Sequence, residues 1–181
     1  MKWNPFKKSY TVQELRMVHF LKRNHLFSTL SEREIIEFIP YLYERKYAKN
    51  EVVFFRGDPA QGVYFVRKGR ITLSIDLEDS FEPICKLRPY DSFGDSALLP
   101  NTFRSYNAIC SSESCLLYML PTENIQEIFN ANSFLSAKIM TNLARHYSEI
   151  ERRLFKSYRE SFAFFELRSV YEVEHQDDKD E

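Results

Sequence analysis

Short runs rich in Val, Ile, Phe and Tyr, separated by turn residues, occupy the chain between Tyr41 and Leu120. The runs are EVVFF, GVYFV, RITLSID, EPICKL, RSYNAIC and SCLLYML, and Gly, Pro and Asp stand between them. Many short strands at intervals of roughly 8–12 residues are typical of an antiparallel sandwich or barrel. The sequence therefore predicts a mainly β roll over residues 41–120.

Helical periodicity precedes this segment. Leu15, Val18 and Leu21 stand three residues apart within TVQELRMVHFLKRNHLF, residues 11–27, which predicts an amphipathic helix. Ser31 followed by Glu34 is a capping-box pattern, and it introduces a second short helix over IIEFI. We expect residues 1–40 to form an N-terminal helical segment.

The helical period returns after Pro121. A short helix is predicted to Phe129, with Asn130 and Asn132 as breakers, and a long amphipathic helix from about Ser133. Residues 121–165 are therefore predicted to be C-terminal helices. The end of the chain is acidic and carries few apolar residues, so residues 166–181 are predicted to be a disordered tail.

The charge balance bears on the class of partner. Lys and Arg number 25 against 26 Asp and Glu, which gives a net charge of −1. Proteins that bind duplex DNA usually carry a basic excess, because neutralisation of phosphates supplies much of their affinity. We therefore expect no direct DNA binding.

Membrane and disulfide patterns are also absent from the sequence. No window approaches roughly 18 consecutive apolar residues, and no apolar stretch follows the basic N-terminus. The three cysteines, Cys85, Cys110 and Cys115, include no CxxC pair, which disfavours a disulfide framework or a closed zinc site. The expectation is a cytoplasmic protein without a membrane span.

Glycine is used sparingly. The chain has four, all between positions 57 and 94. So few glycines are expected where the backbone needs a positive φ or where another group approaches closely.

Two motifs around these glycines resemble the cyclic nucleotide-binding domain family. In FFRGDPAQGVYFVRKGRITL, Gly57-Asp58, Ala60, Tyr64-Phe65-Val66 and Gly69 stand at the spacings of the family's strand–turn–strand signature. Downstream, DSFGDSALLPNTFRS resembles its phosphate-binding cassette, here residues 93–105. The similarity covers roughly residues 20–155 and implies a jelly-roll, or double-stranded β-helix, β-roll with N-terminal helices and a long C-terminal helix.

The resemblance also implies a ligand site. A short helix that begins at Gly94 would direct backbone N–H groups at a cyclic phosphate, and Arg104, arriving on the next strand, would supply a charged bidentate partner. Asp95 would accept from the ribose 2′-hydroxyl. No cofactor is implied, and the ligand would be cAMP, cGMP or a similar small anion. The implied phosphate and ribose site consists of Gly94, Asp95, Ser96, Ala97, Arg104 and Ser105.

The same family closes its long last helix over the base. By the resemblance, Tyr147, Ile150 and Glu151 would face the base in this chain. Tyr147, Ile150 and Leu154 also form an apolar stripe that would suit a homodimer interface. Both interpretations of this helix remain open.

The cassette departs from the family pattern in ways that leave two functions open. Asp95 replaces the usual Glu, Phe103 replaces the usual Pro, and the bulky Tyr106 follows Ser105. The first hypothesis is a stand-alone regulatory module that binds a cyclic nucleotide or similar anion and signals through helix movement or dimerisation. The second is a degenerate, ligand-free domain that acts as a structural or interaction module for an unidentified protein, with Phe162, Phe164 and Phe165 as a partner surface.

An enzyme is disfavoured. Metal-dependent β-barrel dioxygenases and isomerases need a His-x-His pair inside the roll, and the four histidines lie outside the predicted strands, at His19, His25, His146 and His175. Cys110 and Cys115 have no nearby histidine that could activate a thiolate. We expect no catalytic residues and no resident metal.

Overall fold

The computed structural model describes residues 10–77 and 80–161. Within these residues, strands form two four-stranded antiparallel sheets, in the orders β1-β8-β3-β6 and β2-β7-β4-β5. The predicted β-roll with flanking helices is confirmed. The strands are β1 Tyr43–Ala48, β2 Val52–Phe54, β3 Gly62–Lys68, β4 Ile71–Leu77, β5 Ser80–Leu87, β6 Ser92–Phe93, β7 Asn107–Cys110 and β8 Ser114–Pro121.

Helices flank the two sheets. They are α1 Val12–Lys22, α2 Glu32–Ile35, α3 Thr122–Ala131 and α4 Ser133–Ser161, with 3₁₀ turns at His25–Phe27, Ile39–Tyr41 and Asp95–Leu98. The chain divides into two compact units, Met1–Ala144 and Arg145–Glu181. Among the described residues, no helix is both long and apolar enough to span a bilayer.

Capping boxes start both N-terminal helices. The predicted box at α2 is present, because Glu34 accepts from the Ser31 backbone at 2.7 Å. Thr11 and Glu14 form a second box at α1, which was not predicted from the sequence. The helix predicted over residues 11–27 ends at Lys22, and a 3₁₀ turn follows in place of its last residues.

Three further predictions about element bounds were inaccurate. β1 was missed, since five of its six residues are exposed and its sequence, YERKYA, carries no apolar alternation. The strand predicted from Arg104 begins only at Asn107. Asn130 does not break α3, which continues to Ala131. The predicted acidic tail and Phe162, Phe164 and Phe165 lie outside the described residues.

A shared apolar core joins the roll to the helices. Phe27 and Phe38 from the N-terminal segment pack at right angles, with ring centroids 5.0 Å apart, and Phe27 contacts Phe65 of β3 at 5.7 Å. The same cluster includes Ala97 and Leu98 of the 3₁₀ turn after β6, together with buried residues of α3 and the first part of α4. The turn after β6 therefore packs in the same apolar core as the helices.

A second cluster fills the inside of the roll. Cys110 and Cys115 both belong to it, and their sulfur atoms lie 2.6 Å apart as free thiols. Burial, followed by the hydrogen bond with Cys115, raises the pKa of Cys110. The two residues are part of the packed interior of the roll.

An ion pair fixes the first part of α4 to α2. Lys138 donates to Glu34 at 2.7 Å, and this bond, followed by the Ser31 backbone amide, lowers the pKa of Glu34 to about 2 from 4.5. Because the folded-state pKa is depressed, the stabilisation is complete above about pH 4.5 and disappears as the pH falls toward about 2.

Glu34→Gln is therefore expected to lower the free energy of unfolding by about 1 kcal/mol at pH 7. The difference from the wild type should shrink as the pH falls below about 4.5, since protonation neutralises the wild-type carboxylate there. Urea denaturation across this range measures both effects. Glu32→Gln, on the exposed first position of α2, is the control, and an equal loss in that variant would contradict the ion-pair explanation.

Candidate functional site

The backbone around Arg104 is held by the loop between β2 and β3. The Arg104 amide donates to the Asp58 carbonyl at 2.9 Å, and the Gly57 amide donates to the Arg104 carbonyl at 2.8 Å. Ala60 and Thr102 form a further bond of the same kind at 2.9 Å. Arg104 thus lies in a loop that precedes β7, and not on the strand as the sequence predicted.

The side chain of Arg104 turns inward. It is 4% exposed, its Nη1 donates to the Gly94 carbonyl at 3.0 Å, and its Nη2 donates to the Gly62 carbonyl at 2.7 Å. The guanidinium carbon lies 4.2 Å from the centre of the Phe54 ring and 5.8 Å from that of Tyr64. The structure therefore brings Arg104 and Gly94 together.

The guanidinium of Arg104 forms no direct ion pair with any described carboxylate. Among the residues that the structure describes, no carboxylate lies within 4.0 Å of it, and its buried Nε has no hydrogen-bond partner. Desolvation lowers the pKa of Arg104, and the nearby Tyr64, together with the more distant carboxylates of Asp58 and Asp95, opposes that shift. An arginine remains protonated at neutral pH, so the site holds a buried positive charge with a free donor.

Gly94 is required by this arrangement. Its φ is +74°, and a Cβ at this position would collide with Nη1 of Arg104. Its amide donates to the Tyr106 hydroxyl at 2.8 Å. Tyr106 was noted in the sequence only as bulky, and its role as an internal acceptor for the Gly94 amide was missed.

Aromatic rings form the wall beside the guanidinium. Phe54 lies 5.8 Å from Tyr106 and 5.7 Å from Phe93, and Tyr64 stacks on Phe93 at 5.2 Å. All of these rings come from the roll. The site thus combines a polar loop with a cluster of aromatic rings beside the guanidinium.

Asp95 has a neighbour that the sequence did not indicate. The residue is 8% exposed, and its Oδ2 lies 3.3 Å from Nε2 of His25 in the N-terminal segment. Its Oδ1 is buried without a hydrogen-bond partner. The predicted ribose acceptor therefore faces the helices on one side and retains one unsatisfied oxygen.

The other predicted cassette residues contribute less. The Ala97 amide donates to the Gly94 carbonyl at 3.0 Å and its side chain is fully buried, so this amide is already used inside the turn. Ser96 is half-buried, and its carbonyl accepts from Thr102 at 2.7 Å. Ser105 is exposed. Of the six predicted residues, Asp95 and Arg104 each retain a buried side-chain atom without a hydrogen-bond partner, whereas the amide and the carbonyl of Gly94 are already bonded within the protein.

The predicted base-facing residues belong to the unit that begins at Arg145. Tyr147 and Ile150 are 44% and 47% exposed, and Glu151 is also exposed. Leu154, from the same stripe, is 54% exposed. Their role over a base, and their role in a dimer, stay predictions.

Comparison with known proteins supports the resemblance seen in the motifs. Residues 44–132 match the family model described as the cyclic nucleotide-binding domain. The crystal structure of the N-terminal domain of a transcriptional regulator from Streptomyces coelicolor is similar to this fold with a TM-score of 0.65, at 21% identity over 72% of this chain and 94% of that one.

Two curated relatives extend the similarity along the chain. A cAMP-dependent protein kinase regulatory subunit of Blumeria graminis is 23% identical over 94% of this chain and 42% of its own length. The cyclic AMP receptor protein of Thermus thermophilus is 25% identical over 74% of this chain and 62% of its own length. The chain spans less than two thirds of either relative. The matching family is a regulatory domain and not a catalytic one.

Proposed function

The domain at residues 44–132 belongs to the cyclic nucleotide-binding domain family, and from this we propose that it binds a cyclic nucleotide or a similar small anion as a regulatory module. The phosphate is held by Arg104 and the loop that starts at Gly94. Relatives named for cAMP, the kinase regulatory subunit and the receptor protein, support this ligand class.

The single observation that carries the proposal is the buried guanidinium of Arg104, which forms no ion pair among the described residues and whose Nε has no hydrogen-bond partner. A buried guanidinium without a counter-charge is costly, and an anion at the free Nε would supply that charge with a charge-assisted hydrogen bond. The unsatisfied Oδ1 of Asp95 on the neighbouring turn would accept from a ligand hydroxyl. A cyclic nucleotide carries both complementary groups, a phosphate for the Arg104 donor and a ribose hydroxyl for the Asp95 acceptor.

The signal is proposed to pass through the apolar core. Ala97 and Leu98 follow Gly94 in the turn and pack in the same cluster as the N-terminal helices, α3 and the first part of α4. A ligand that favours one position of the turn would shift the helices between two states, provided that it binds these states with different affinity. The exposed stripe of Tyr147, Ile150 and Leu154 is the proposed homodimer surface.

Thermal unfolding with and without millimolar cAMP, cGMP or a cyclic dinucleotide tests the binding. A ligand at about 100 times its Kd adds about 2.7 kcal/mol, which raises the Tm by several degrees. Arg104→Lys keeps the charge but loses the planar bidentate geometry, and it is expected to remove most of that rise. Arg56→Ala, which removes an exposed arginine paired with Asp76, is the matched control and should keep the full rise.

Two results would contradict the proposal. A Tm that none of these ligands changes in the folded wild type would show that the cassette does not bind them. A rise that Arg104→Lys retains in full would place the ligand elsewhere on the molecule.

A second candidate function is a ligand-free interaction module, and a specific observation favours it. Both terminal nitrogens of Arg104 already donate to backbone carbonyls, and the Gly94 amide already donates to Tyr106. In this case Arg104 fixes three segments of the roll to one another. The absence of any ligand-dependent rise, together with a large loss of Tm in Arg104→Lys, would favour this function.

A further inference from the structure

A second cleft lies between α1 and the roll, away from the cassette. Its volume is about 420 Å³, which falls in the size range of small-molecule sites. Three arginines and three aromatic residues dominate its lining: Arg16, Arg23, Arg67, Phe20, Tyr90 and Tyr118. It shares no lining residue with the cassette.

The aromatic rings of the cleft form one connected group. Phe20 lies 5.3 Å from Tyr90 and 5.3 Å from Tyr118, the latter in an edge-on arrangement. The guanidinium of Arg23 stacks on Tyr90 at 3.6 Å, and that of Arg67 lies 5.3 Å from the Tyr118 ring. Such alternation of rings and guanidinium planes provides stacking surfaces for another planar group.

Tyr90 is held in a costly backbone conformation. Its φ is +81°, which is uncommon for a bulky side chain. Two bonds maintain it: its amide donates to the Val66 carbonyl, and the buried Asn24 donates to its carbonyl, both at 2.9 Å. Backbone strain of this kind concentrates at functional sites. In this conformation the Tyr90 ring lies against the guanidinium of Arg23.

The cleft carries an excess of positive charge. Among the described residues, neither Arg16 nor Arg23 lies within 4.0 Å of a carboxylate, whereas Arg67 pairs with Glu44. Arg16 and Arg23 are both exposed, so their donors are accessible from solvent. Two guanidinium groups without a counter-ion favour a doubly charged phosphate over a singly charged one.

We propose that this cleft is a second binding site, for a nucleoside monophosphate. The base packs against the Phe20 ring, and the phosphate dianion pairs with Arg16 and Arg23. The ligand class follows from the combination of aromatic rings and two guanidinium groups that have no carboxylate partner among the described residues. This site is independent of the function proposed for the cassette.

Isothermal titration of the full chain with 5′-AMP at low ionic strength tests the proposal. We expect one bound AMP, and about tenfold or greater weakening in the double variant Arg16→Gln, Arg23→Gln. The matched control is Arg33→Gln, Arg70→Gln, which removes the same charge from two other exposed arginines. That control and Arg104→Lys should both keep the wild-type affinity, which separates this site from the cassette.

Further titrations test whether the aromatic rings of the cleft contribute to AMP binding. Phe20→Leu should weaken AMP binding while the chain stays folded, and inorganic phosphate should bind more weakly than AMP. Equal binding of phosphate and AMP would overturn the nucleotide assignment, as would tighter binding of O-phosphotyrosine, which would indicate a phosphopeptide. No binding of AMP to the wild type, or loss of binding only in Arg104→Lys, would overturn the site itself.

Discussion

Gly69→Ala is expected to lower the free energy of unfolding by about 3 kcal/mol or more. Gly69 has a φ of +90°, and a Cβ there would lie 2.5 Å from the Ser114 carbonyl oxygen and 3.0 Å from the Cys115 Cα. These atoms belong to β8, which pairs with β1 on one side and β3 on the other. The strand cannot withdraw without loss of two ladders, so both the strain and the clash persist.

Gly57→Ala is the matched control, since it shares the conformation but not the crowding. Its φ is +86°, and nothing lies within 4 Å of the added Cβ. We expect a loss of about 1–2 kcal/mol, the cost of a left-handed alanine alone. Urea denaturation of both variants measures the difference, and equal losses would show that contact with β8 contributes nothing.

The roll could be predicted because most of its strands have a recognisable local sequence pattern. β-branched and aromatic runs separated by Gly and Pro placed six of the eight strands found among the described residues. The two that were missed are β1, an exposed and polar strand, and β6, which has only two residues. Neither carries a local apolar pattern, because pairing with β8 and β3 determines them.

The candidate site could be predicted only in part. The family resemblance implied that Gly94 and Arg104 act together, and the structure places them in contact. The partners that complete the site came from elsewhere: Gly62 lies 42 positions from Arg104 along the chain, and His25 contacts Asp95 from the N-terminal segment. Side-chain partnerships over such separations depend on how the sheets and helices pack, which no local pattern encodes.

The contact between the N-terminal segment and the roll is expected to contribute strongly to the free energy of unfolding. Phe27→Ala should lower the free energy of unfolding by about 3–5 kcal/mol. Phe27 is 1% exposed and packs against Phe38 and Phe65, so its removal leaves a cavity that three separate segments must close. Thermal or urea denaturation measures the loss.

Phe81→Ala is the control for that substitution, because Phe81 is 52% exposed on the edge strand β5. Its loss should stay below about 1 kcal/mol. Phe27 lies in the same apolar cluster as Ala97 and Leu98 of the cassette turn, so its truncation should also reduce any ligand-dependent rise in Tm. A variant that is destabilised but keeps the full rise would show that the ligand site works independently of the N-terminal helices.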